Sequence, residues 1–166
     1  MHYYALFVNK IPVGVLGASG YAGRELCALI QRHPALSLAF ATANEQAGTT
    51  TRIAGKDVTF IKTDDADLAS AELVFSSLPH GASKEWVSKI RAAGVRAVDL
   101  STDLRPGNGC DGIAYGMTEL NRASITGAEL VANPDYVESV LREGAQRARA
   151  VASVVLKRAR KASGLD

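Results

Sequence analysis

The residues of this 166-residue chain best suited to chemistry sit in short loops. Gly17-Ala18-Ser19-Gly20-Tyr21-Ala22-Gly23 carries three glycines at three-residue spacing. Glycines placed this way allow a tight turn and a close backbone approach to a pyrophosphate, whose charge the N–H groups of a following helix can meet. Leu78-Pro79-His80-Gly81 sets a histidine in a turn, and Asp99-Leu100-Ser101-Thr102-Asp103 groups carboxylates with hydroxyls. His80 and Ser101 are candidates to touch a ligand, although a histidine, serine or threonine after a strand is also an ordinary turn residue. Of the two cysteines, Cys27 reads as helix packing and Cys110 as a loop thiol with no base beside it. With no CxxC and no Cys/His cluster, the sequence offers neither a metal site nor a nucleophile of its own.

The loops need elements to hold them. Residues 11–16 read as a short buried strand running straight into Gly17. A helix should follow on the apolar spacing of Leu26, Leu29 and Ile30, and stop at His33-Pro34. A second apolar strand over 36–42 completes a β-α-β unit of about 30 residues. The pattern then recurs. Strands are expected at 73–77, 95–100 and 129–132, with a minor one at 58–61. A helix is expected over 83–93, with Trp86, Val87 and Ile90 on one face and Gly94 at its end. Alternating strands and helices predict an α/β fold, a Rossmann-like parallel sheet with helices on both faces. In that arrangement the glycine loop and the segments at 78–81 and 99–103 all follow strands, at the edge where such sheets bind ligands.

The end of the second strand, Thr42-Ala43-Asn44, has a hydroxyl and an amide where NAD-binding domains place a carboxylate for the ribose; Glu45 comes slightly late. That leans toward NADP, yet no arginine stands there for a 2′-phosphate, so NAD remains open.

A net charge of +2 gives no reason to expect nucleic acid or a membrane as partner. The charge is uneven, at 12 Lys+Arg against 13 Asp+Glu over residues 1–134 and 7 against 4 over 135–166. From Asp135 the pattern fits one long amphipathic helix with an Ala- and Val-rich stripe through Val137, Leu141, Ala145, Ala148, Ala152, Val155 and Ala159. We therefore expect a dinucleotide-binding domain over 1–134 and a C-terminal helix over 135–166, the latter able to join copies of the chain. The apolar run at 3–8 is too short for a signal peptide, and a cytoplasmic location is expected.

Five stretches in order resemble the cofactor domain of N-acetyl-gamma-glutamyl-phosphate reductases, in the semialdehyde dehydrogenase-like family. They are VGVLGASGYAGREL from Val13, LVFSSLPHGAS from Leu73, AVDLSTDLR from Ala97, AYGMTELNR from Ala114 and LVANP from Leu130. The resemblance implies an NADP(H)-binding fold serving reduction of an acyl phosphate in arginine biosynthesis. With the loops read above it gives as candidate cofactor contacts Gly17, Ala18, Ser19, Gly20, Tyr21, Ala22, Thr42, Asn44, Leu78, Pro79, His80 and Ser101. In that family a cysteine after Asn-Pro-Gly attacks the acyl phosphate; here Asn133-Pro134 leads into Asp135-Tyr136. The family's arginine near the 2′-phosphate aligns with Asn44. The resemblance thus implies a cofactor domain that is catalytically incomplete, and the alternative is a non-enzymatic nucleotide-binding or regulatory module. The last 28 residues are similar to the C-terminal helix of tryptophanyl-tRNA synthetases, in an Ala/Arg-rich composition that many helices share.

Overall fold

The computed structural model describes residues 9–105 and 112–132, together with helical positions 152, 153, 155, 157, 158 and 160. The chain divides into two compact units, Met1–Asn133 and Pro134–Asp166. Apart from those six positions, the helix expected from Asp135 lies outside the described residues, as does Cys110.

The first unit begins with β1 (Ile11–Leu16), α1 (Tyr21–Arg32) and β2 (Leu36–Ala41). A hairpin follows, β3 (Thr50–Ile53) and β4 (Lys56–Thr59), and then β5 (Leu73–Ser76), α2 (Ser83–Ala92) and β6 (Arg96–Asp99). The last elements are β7 (Ala114–Tyr115), α3 (Thr118–Ile125) and β8 (Leu130–Ala132). Six strands form one sheet in the order β2-β1-β5-β6-β8-β7, with every pairing parallel. From β1 the chain moves outward to β2, then returns to lay β5 on β1's other side. The strand order therefore reverses between β1 and β5, and loops leaving these two strands face each other across the crevice where α/β sheets bind ligands.

Alternation along the strands splits the core in two. Val13 and Val15 join Cys27, Ala28 and Ile30 of α1 and Ile53 and Val58 of the hairpin. Leu16 and Val74 join Val87 and Ile90 of α2 on the opposite face. The sheet is thus covered on both sides, as the strand-helix pattern predicts. β1 is free to lie under a large ring because Gly14 has no side chain; a Cβ there would meet Phe40 Cζ at 2.1 Å.

Three expectations need correcting. Leu29, expected on the buried face of α1, is 54% exposed, because the buried stripe of the helix runs through Gly23, Cys27, Ala28 and Ile30. The minor strand expected at 58–61 is half of an antiparallel hairpin, and Ile61 instead bridges Thr42 in parallel. The hairpin escaped notice because its two-residue turn is Ala54-Gly55, with φ of 48° and 83°. Such turns need positive φ at both positions and usually announce themselves with Asn or Asp first. Neither the two-residue β7 nor α3, kinked at Asn121, was expected from apolar periodicity.

Candidate functional site

The loop from β1 to α1 is built by two of its three glycines. Gly17 has φ of 74°, and a Cβ there would lie 2.6 Å from the Ser77 carbonyl oxygen. Ser77 Oγ in turn donates to the Gly17 carbonyl at 3.0 Å, tying the loop after β1 to the end of β5. At Gly23 a Cβ would come within 2.3 Å of that same Gly17 oxygen and 2.7 Å of Ala18 Cα, so the first turn of α1 rests directly on the loop backbone. Gly20 differs: its Cβ would meet only the Gly17 oxygen, at 3.6 Å. Packing therefore demands glycine at 17 and 23, whereas at 20 the structure leaves open space.

That opening lies at the start of α1, which has no side-chain cap. The first N–H groups of a helix lack intrahelical acceptors and carry the positive end of its dipole, so they suit an anion. Ala18 is fully buried beneath, while Gly20 and Ala22 are exposed and Tyr21 is entirely so. Ser19, Gly20, Tyr21 and Arg24 line a depression of about 390 Å³. A second depression of about 380 Å³ lies along β2 and β4, where Gln31 and Lys56 help line it, away from this loop.

Thr42 supports the loop from within. It is fully buried, and its Oγ1 accepts from Gly17 N–H at 3.3 Å and from the Thr63 hydroxyl at 3.1 Å. Its carbonyl accepts from Ala18 N–H at 2.7 Å. Asn44, two residues on, is exposed, and its Oδ1 accepts from Thr63 N–H at 2.9 Å. The structure also brings in a residue that the sequence reading passed over. Arg24, on the first turn of α1, donates through Nε to the Ser19 carbonyl at 3.0 Å and through Nη2 to Gln46 Oε1 at 3.4 Å. Its guanidinium thus bridges the glycine loop and the loop after β2.

The loops after β5 and β6 are stitched together. The Asp103 carboxylate accepts from Gly81 N–H at 2.8 Å, Ser83 N–H at 3.1 Å and Lys84 N–H at 3.3 Å, capping α2 from a neighbouring loop. Beneath it the fully buried Asp99 accepts from the Ser83 hydroxyl, from Ser101 N–H at 3.1 Å and from Ser101 Oγ at 2.8 Å. Ser101 Oγ also accepts from Asp103 N–H at 3.0 Å, so this hydroxyl belongs to the scaffold. Leu78 is half-buried, while Pro79 and His80 are exposed. His80 Nδ1 accepts from Thr102 N–H at 3.1 Å. A backbone N–H can only donate, so the neutral ring carries its proton on Nε2.

Cys27 is buried among the α1 contacts, and desolvation pushes its thiol up to about 11. A thiol so held stays protonated and is a packing group. Among the described residues no helix is long and apolar enough to cross a membrane.

The family model described as "Semialdehyde dehydrogenase, NAD binding domain" matches residues 12–128. A curated relative, the N-acetyl-gamma-glutamyl-phosphate reductase of Salinispora arenicola, is 39% identical over 142 residues, covering 75% of this chain and 42% of that protein. Among solved structures, aspartate semialdehyde dehydrogenase II of Vibrio cholerae, complexed with ASA, superposes with a TM-score of 0.65 at 24% identity. It covers 76% of this chain and 42% of its own. Aspartate semialdehyde dehydrogenase of Candida albicans, with NADP, gives 0.58 at 16% identity over 75% and 42%. The chain spans about two fifths of the length of the curated relatives it matches.

Proposed function

Because the chain belongs to the family of semialdehyde dehydrogenase NAD-binding domains, we propose that it binds NADP(H) as the cofactor-binding part of an N-acetyl-gamma-glutamyl-phosphate reductase of arginine biosynthesis. The observation that carries the ligand assignment is the asymmetry of the loop. Gly17 and Gly23 are closed in by backbone, while Gly20 alone opens outward at an uncapped helix start. A pyrophosphate fits that cradle, with α1 N–H groups as its donors.

When bound, the nicotinamide would supply a hydride for reduction of an acyl group. The chain's residues bind and orient. Thr42 holds the turn at Gly17, Asn44 stands at the end of β2 where the adenosine ribose lies, and Asp103 fixes the β5–α2 loop beside the crevice. His80, anchored through Nδ1, offers Nε2–H to cofactor or substrate. Asp135-Tyr136 stands where the reductases' Gly-Cys follows Asn-Pro, so a thiolate must come from elsewhere for the acyl group to be captured. We place the protein in the cytoplasm, where its thiols stay reduced.

The same Asp135 favours a second reading, a nucleotide-binding or regulatory module without turnover. Titration with NADPH and NADH, followed by an assay on N-acetyl-glutamyl phosphate with and without cell extract, separates the two. Binding, with turnover only once extract is added, supports the reductase reading. Binding without turnover in either condition supports the module, and failure to bind either dinucleotide rejects both.

A further inference from the structure

The end of β2 poses a problem for NADP(H). A 2′-phosphate on the adenosine ribose needs a cation there, and the residues that follow the strand, Thr42-Ala43-Asn44-Glu45, supply none. Thr42 cannot help, since it is fully buried under the loop. The cation arrives from the other side. Arg24 leaves the first turn of α1, is pinned by its Nε to the Ser19 carbonyl, and extends to Gln46, two residues beyond Asn44. Its contact with Gln46 is long, at 3.4 Å, and is readily exchanged for an anionic oxygen. Among the described residues no carboxylate pairs with it; the ion pairs present use Arg32, Lys89 and Arg91. Arg24 also lines the depression beside Gly20.

We propose that Arg24 is the residue that selects NADP(H) over NAD(H), its guanidinium receiving the ribose 2′-phosphate between α1 and the loop after β2. The inference rests on the cofactor reading above and adds the determinant of its specificity. The Nε–Ser19 bond holds the group in place, which leaves the Nη1 hydrogens for the phosphate. Asn44, whose oxygen is committed to Thr63 N–H, keeps its amide nitrogen for a second contact.

The test is fluorescence titration of the full chain with NADPH and with NADH, for wild type, Arg24→Met and Arg24→Lys, each checked by thermal melting. Wild type should favour NADPH by about tenfold or more, the range expected of charge-assisted hydrogen bonds. In Arg24→Met the preference should fall to about one, through loss of NADPH affinity. Arg24→Lys, which keeps the charge and loses the fork, should retain part of it. The ratio is the readout, because loosening of the loop on loss of the Ser19 bond would weaken both dinucleotides alike. An unchanged ratio in Arg24→Met overturns the proposal and leaves the cofactor reading standing. So does a wild type that favours NADH, which would point to Glu45 holding the ribose hydroxyls. A wild type that binds neither dinucleotide overturns the cofactor reading itself.

Discussion

Two glycine substitutions three residues apart should have opposite consequences. In Gly23→Ala the new Cβ would stand 2.3 Å from the Gly17 oxygen and 2.7 Å from Ala18 Cα, both backbone atoms that cannot swing aside. The start of α1 would have to retreat by roughly 1 Å from a close-packed sheet, an overpacking cost of about 2–3 kcal/mol. For a chain of this size that lowers Tm by roughly 5–10 °C. Gly20 sits at φ −70° and ψ 167°, a conformation open to any residue, with its nearest neighbour 3.6 Å from a Cβ. Gly20→Val should therefore move Tm by no more than about 3 °C. Its branched side chain would occupy the path by which a pyrophosphate reaches the α1 N–H groups. NADPH affinity should fall more than about tenfold, the loss expected when charge-assisted hydrogen bonds cannot form. Thermal melting and NADPH fluorescence titration of both variants measure the two effects separately. The reasoning fails if Gly20→Val melts as early as Gly23→Ala, or if it stays folded and binds NADPH as wild type does.

Asp103→Ala removes the acceptor for three N–H groups at the start of α2 and should cost about 1–2 kcal/mol, read as an earlier midpoint in urea denaturation. Cys27 should resist iodoacetamide at pH 8 in the folded chain and react once it is unfolded. Its folded pKa, raised from 9.0 to about 11, contributes stability that is fully present below pH 9 and lost as pH rises to about 11; Cys27→Ala should flatten that part of the pH–stability curve. Truncation after Pro134 should leave a folded domain that still binds dinucleotide, since the eight strands of the described residues all precede it. A truncated chain that lacks a cooperative unfolding transition would show that the domain needs the tail in order to fold.

The parallel sheet was legible because most of its strands are marked locally. Each apolar strand is bounded by a glycine, proline or polar turn, and a parallel β-α-β repeat allows few topologies. The glycine loop was legible too, since its spacing constrains backbone geometry within seven residues. Other features are hidden where the local signal is weak. Leu29 matched a helical period, but a period does not say how far round the helix the buried stripe extends, and here it runs through Gly23, Cys27, Ala28 and Ile30 and leaves Leu29 outside. The Ala54-Gly55 turn carries positive φ on a residue that seldom adopts it, so the hairpin left no usual mark.

What the sequence conceals is pairing between loops that are distant in the chain. Asp103 looked like one more polar turn residue, and nothing near it in sequence names the N–H groups at 81, 83 and 84 as its partners. Likewise nothing beside Ser101 in the sequence shows that its hydroxyl stands between Asp99 and the Asp103 N–H. Arg24 is the strongest case. The end of β2 carries Asn44 and no cation, but a binding site is a volume that several segments share. Arg24, on the first turn of α1, is 22 residues from Gln46 in sequence and one hydrogen bond away in space. A substitution at the expected position therefore does not show that a function is lost, because a neighbouring element can present the same chemistry from another direction. If Arg24 sets the preference for NADP(H), moving it back should be possible: Asn44→Arg placed on Arg24→Met should restore part of the NADPH-to-NADH ratio. A double variant that stays at a ratio of one would show that the end of β2 is not where the 2′-phosphate lies.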